Sequence, residues 1–125
     1  MTVIYDKVAV IGMGLIGASI ALAARRGGLA TTIIGSDQSP EVAAVVARLQ
    51  LVDSFEVDAA HAVADADLVI LAVPVGAVGK IAEQVVPHMK SGAVLTDTGS
   101  TKRSVVRDVG AHLRDDITGL PSHPL

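Results

Sequence analysis

A chain of 125 residues has the length of one domain and buries about two thirds of its unfolded surface. Half of it is apolar but only 2% is aromatic, so the core must be Val, Ile, Leu and Ala, as in a parallel sheet covered by close-packing, Ala-rich helices. A net charge of −3 makes no electrostatic case for nucleic acid or an anionic membrane, and the absence of cysteine excludes disulfides and thiolate metal sites. Acidic Asp6 near the N-terminus, no cleavable signal pattern and no apolar run of membrane-spanning length lead to the expectation of a soluble cytoplasmic protein.

In chain order, residues 8–11 form a short β-branched run that suits a strand buried on both faces. It breaks into Gly12-Met13-Gly14-Leu15-Ile16-Gly17. Residues 15–26 then carry Ala and Leu without Pro and predict a helix closed by Gly27-Gly28. Three glycines thus sit where a strand hands over to a helix. Gly12 permits the tight turn, Gly14 lets a pyrophosphate approach the backbone, and Gly17 lets the helix pack on the strand. The N–H groups and positive dipole end across Met13, Leu15 and Ile16 then face the phosphates.

A second strand, residues 31–36, leads to Asp37, 20 residues beyond Gly17. That is the spacing of an acid that binds an adenosine ribose, although a turn residue ahead of Pro40 is the plainer reading of Asp37. Ser39 as N-cap and Pro40 at the first position open a helix to about residue 51. Between 53 and 67 the pattern is weakest, with a short strand at 55–57 and a short helix at 59–64. Residues 67–73 are the clearest later strand, stopped by Pro74. A helix at 76–88, a buried strand at 92–97, a helix at 101–114 and a sixth strand starting at 117–120 complete the alternation.

Strands alternating with helices predict an α/β fold, a doubly wound parallel sheet of Rossmann type, with residues 1–125 forming one dinucleotide-binding domain. Ligands of such sheets bind at the carboxyl ends of the strands, here Gly12, Asp37, Val73-Pro74 and Asp97-Thr98-Gly99-Ser100. The turn has no Lys and is not a P-loop, which argues against ATP or GTP hydrolysis. Asp37 would accept from both ribose hydroxyls and repel a 2′-phosphate, and no Arg follows it, so the expected cofactor is NAD rather than NADP.

Two further segments stand out: Asp97-Thr98-Gly99-Ser100-Thr101-Lys102 after a strand, and Ser122-His123-Pro124. With VAVIGMGLIG and LVILAVPV, they resemble the prephenate/arogenate (cyclohexadienyl) dehydrogenase family of tyrosine biosynthesis. There a D-x-G-S-x-K and a G-H-P segment flank the active site. Ser122 departs from the pattern, standing where that family usually has Gly.

The resemblance implies an oxidoreductase in which His123 is the catalytic base, taking the proton of the substrate ring hydroxyl. An imidazole with its ordinary pKa of about 6.5 is largely neutral at pH 7 and suits the task. Ser100 would bond the same hydroxyl, hold the imidazole, or simply cap the helix beginning at residue 101. The nicotinamide would lie against Val73 and Pro74, near Thr98 and Gly99, and take the hydride while CO2 leaves and the ring aromatises. Lys102 would attract anionic groups or stand as a solvated helix lysine.

The resemblance further implies a C-terminal helical domain, absent from these residues, that completes the pocket for prephenate or arogenate and builds a homodimer. The expectation is therefore that this chain binds NAD with little turnover of its own. No metal site is expected, since His61, His88 and His112 match no metal-ligand spacing. Competing readings are another dehydrogenase with the same first domain, of the β-hydroxyacid or imine-reductase type, and a non-catalytic NAD-sensing module.

Overall fold

The computed structural model describes residues 5–98 and 116–120. Six parallel strands form one sheet in the order β3-β2-β1-β4-β5-β6. They are β1 (Tyr5–Ile11), β2 (Ala30–Ser36), β3 (Ser54–Glu56), β4 (Leu68–Leu71), β5 (Val94–Asp97) and β6 (Thr118–Leu120). The described helices are α1 (Leu15–Arg26), α2 (Pro40–Leu49), α3 (Ala59–Val63) and α4 (Val75–Val85). The chain runs outward from β1 to β3, then returns to lay β4 on the other side of β1. This reversal leaves a crevice between the carboxyl ends of β1 and β4.

Side-chain alternation divides the core between the two faces of the sheet. Val8, Val10, Ile33, Leu68 and Ile70 point toward Ala21 and Ala24 of α1 and Val46 of α2. Ala9, Ile11, Ile34, Val69, Leu71 and Leu95 point toward Ala62 and Val63 of α3 and Val78, Ala82 and Val85 of α4. Successive strand residues face opposite ways, and both faces are covered, so the strands read as continuous apolar runs. Each Val, Leu or Ile so buried contributes about 1.5–3 kcal/mol. The alanines on α1 and α4 keep the helices close enough to exclude water.

Several boundaries differ from expectation for identifiable reasons. The helix expected over 76–88 is α4 followed by a 3₁₀ turn at Val86–His88. Pro87 has no N–H and cannot extend an α-helix. Helix α2 stops at Leu49 because Gln50 adopts a left-handed conformation with φ 52°, and the N–H of Leu51 turns back to Val46 O. The strand expected at 92–97 begins at Val94, since Gly92 (φ 86°) still belongs to the turn. The helix expected at 101–114 lies outside the described residues. Among the described residues, no helix is long and apolar enough to cross a membrane.

Candidate nucleotide-binding site

Strand register fixes where the site stands. Ile11 is paired with Ser36 on one side and Leu71 on the other, and Leu71 with Asp97. The next residue of each strand, Gly12, Asp37, Ala72 and Thr98, therefore emerges along one edge. Gly12 turns the chain with φ 96°, and its N–H donates to Ser36 O at 2.7 Å. A Cβ there would lie 2.5 Å from Ala72 O and 2.9 Å from Val73 Cγ1, so the position admits only glycine. At Gly17 a Cβ would fall 1.8 Å from Gly12 O, which is how tightly α1 rests on the turn.

Gly14 is different. It has an ordinary φ of −69°, and among the described residues no atom beyond its chain neighbours lies within 4 Å of where a Cβ would be. Among the described residues nothing requires glycine there, and the position is open. It is the N-cap of α1, where no side chain accepts from the opening N–H groups and no acid stands in the first turn. The first closing bond is from Ala18 N–H to Gly14 O, at 2.9 Å. The Leu15 and Ile16 side chains are exposed, so what this end offers a ligand is backbone N–H and the positive end of a helix dipole.

Asp37 is held at the same corner. Its Oδ2 accepts from Met13 N–H and its Oδ1 from Ser39 N–H, both at 2.9 Å. The second bond is the turn role weighed for Asp37, and the first ties it to the glycine turn. A carboxylate has about four acceptor positions, so two remain for sugar hydroxyls. Met13 gives its N–H to Asp37 and buries its side chain, so it serves the turn from beneath.

Beside this corner lies a cleft of ≈ 160 Å³, lined by Gly12, Ser36, Asp37 and Val73, and also by Gln38, Val57, Ala59, Ile81 and Gln84. The last five carried no sequence signal. Gln38 adjoins Asp37, but Ile81 and Gln84, three apart on one face of α4, come here only through the crossover from β4. Pro74 is the exposed N-cap of α4. Thr98 follows β5, and its N–H donates to Leu71 O at 3.1 Å. Asp97, which opens the D-x-G-S-x-K segment, is buried at the end of β5. Gly99, Ser100, Lys102 and His123 lie outside the described residues.

At the amino edge of the sheet, Asp67 pairs with Lys90 and accepts from Lys7 N–H at 2.9 Å. The hydrogen bond from the Lys90 ammonium, helped by the Lys7 amide, holds the Asp67 carboxyl below its usual range, and the same contact raises Lys90. Among the described residues, no group of three or more His, Asp or Glu is placed to hold a metal ion.

Residues 20–125 match the family described as prephenate dehydrogenase, nucleotide-binding domain. The chain belongs to this family. It is 38% identical over 122 residues to the cyclohexadienyl dehydrogenase of Zymomonas mobilis, an alignment covering 98% of this chain and 41% of the relative. That alignment takes in the glycine turn, which precedes the family match. The crystal structure of prephenate dehydrogenase from Aquifex aeolicus, in complex with hydroxyphenyl propionate and NAD+, superposes with a TM-score of 0.80 at 29% identity, covering 91% of this chain and 40% of that one. Synechocystis arogenate dehydrogenase gives 0.77 at 30% identity, over 84% and 37%. The chain thus spans about two fifths of the length of these relatives.

Proposed function

We propose that this chain is the NAD-binding part of a dehydrogenase that oxidatively decarboxylates prephenate or arogenate. The observation that carries the reading is the α1 opening. It is an uncapped helix end over the empty space at Gly14, with a carboxylate held beside it. These residues fit a dinucleotide. The N–H groups of Leu15, Ile16 and Gly17 take the diphosphate, and Asp37 takes the adenosine ribose hydroxyls. Val57 and Ile81 of the cleft would hold the base, with Gln38 and Gln84 offering it polar groups. Val73, Pro74 and Thr98 would hold the nicotinamide end, with Gly99 assigned there by the family resemblance.

NAD, when bound, supplies the hydride acceptor. The chain supplies orientation and a base. His123 accepts the proton of the substrate ring hydroxyl and Ser100 orients that hydroxyl, roles carried over from the family resemblance of their segments. Residues 1–125 act as the dinucleotide domain, working with a helical substrate domain that also forms a homodimer in the cytoplasm. Support comes from the family match and from the relatives, named prephenate, arogenate and cyclohexadienyl dehydrogenases.

Calorimetric titration of the chain with both dinucleotides tests the cofactor assignment. NAD should bind at least about tenfold more tightly than NADP, a difference of about 1.4 kcal/mol; the reverse order overturns it. In the full-length enzyme, His123→Asn should abolish prephenate- or arogenate-dependent NADH formation while NAD binding persists.

A further inference from the structure

We propose that Asp37 is also a positioning residue for the diphosphate, acting through the glycine turn as well as through the sugar; this rests on the dinucleotide reading above. Two consecutive amides of the turn hang from the end of β2. Gly12 N–H donates to Ser36 O at 2.7 Å, and Met13 N–H donates to Asp37 Oδ2 at 2.9 Å. The first bond is backbone to backbone. The second reaches across 24 residues of sequence and depends on one side chain.

The other end of that carboxylate is fixed too. Oδ1 accepts from Ser39 N–H, just ahead of α2, so Asp37 bridges the openings of two helices. Met13 is anchored from below, with its side chain only 3% exposed and packed so close to Gly35 that a Cβ there would lie 3.1 Å from Sδ. Held at amide and side chain, Met13 sets the direction in which Gly14 and the first amides of α1 point. Removing the carboxylate leaves the Met13 N–H without its acceptor and frees the turn to rotate toward water.

This separates two roles that ordinarily merge. A carboxylate that reads only the sugar is irrelevant to a ligand lacking sugar hydroxyls. Its negative charge even opposes a diphosphate, so its removal should tighten such a ligand. A carboxylate that holds the turn has the opposite effect. It follows that replacing Asp37 with a small residue to admit a 2′-phosphate also loosens the grip on the diphosphate.

The test uses the full chain and 2′,3′-dideoxyadenosine diphosphate, whose sugar offers Asp37 nothing, with NAD as reference. Asp37→Ala should weaken the dideoxy nucleotide about tenfold. Asp37→Asn keeps one acceptor oxygen and should recover part of the loss, although both variants remove the same charge. Unchanged or tighter binding of the dideoxy nucleotide by Asp37→Ala overturns the proposal while leaving the NAD reading intact. If the unaltered chain binds neither nucleotide, that reading fails and takes this inference with it. Should Asp37→Ala not fold, amide hydrogen exchange on the unaltered chain decides. Met13 should be protected well beyond Leu15 and Ile16, and equal exchange at all three refutes the bridge.

Discussion

Helices α1 and α2 open at the same edge of the sheet, after neighbouring strands, yet their first turns are completed differently. Helix α2 begins with Ser39, whose Oγ accepts from Val42 N–H at 3.3 Å, followed by Pro40, which has no N–H to satisfy, and Glu41, whose charge suits the dipole. Even the short α3 is capped, by Asp58 accepting from Ala60 N–H at 3.0 Å. Helix α1 has none of this. Its cap is Gly14, its first turn is uncharged, and the flanking Leu15 and Ile16 side chains stand in solvent. Helix α4, with Pro74 as its N-cap, also has no side-chain cap; what sets α1 apart is that its open N–H groups stand beside the fixed Asp37 carboxylate, where a ligand can reach them. The glycines make the same distinction. Gly12 and Gly17 are demanded by neighbouring backbone atoms, whereas Gly14 is demanded by nothing among the described residues.

The contrast can be broken at either helix. Gly17→Ala should have the largest effect, because its Cβ would stand 1.8 Å from Gly12 O, a backbone atom that cannot step aside. A loss of about 3 kcal/mol or more in urea unfolding is expected. Gly14→Asp should separate stability from binding. It supplies the missing cap and should stabilise the free chain by about a few tenths of a kcal/mol, while NAD affinity falls more than about tenfold. NAD titrating equally well into that variant would show that α1 is not the anion site.

Ser39→Ala is the mirror experiment. It should cost about 1 kcal/mol in thermal or urea unfolding and leave NAD affinity unchanged, since that cap serves only α2. Far from both helix openings, Asp67→Asn should produce the smallest change, a slight fall in melting temperature that depends on pH. The folded Asp67 carboxyl is held below its ordinary value, so its contribution is present above about pH 4 and fades as pH falls through the folded pKa. The melting temperatures of variant and unaltered chain should differ at pH 7 and converge below about pH 4. A constant gap across that range would mean that the Asp67–Lys90 pair is not its source.

Much of this arrangement is legible in the residues. The run Val8–Ile11 breaking into three spaced glycines, and Asp37 at the end of the next apolar run, place turn and acid by local rules alone. A strand buried on both faces must be continuously apolar, and a tight βα corner must have glycine. Ser39-Pro40 announces α2 for the same reason, since caps and prolines act within a few residues. Pro87 inside an expected helix is a local rule passed over, whereas the left-handed cap at Gln50 has no residue signal, since such caps favour Gly or Asn. The cleft was not legible. Val57, Ile81 and Gln84 carry no motif; Val57 comes from the end of β3, and Ile81 and Gln84 join it only because the chain reverses direction across β1.

Local chemistry therefore determined the elements, the phosphate turn and the identity of the acid, because these depend on φ, on the absence of a Cβ and on apolar period. Tertiary structure alone decided that the Asp37 carboxylate reaches back to the Met13 amide and that α4 forms a wall of the cleft. Strand order and register set those meetings, and they are products of packing the whole sheet rather than of any segment within it.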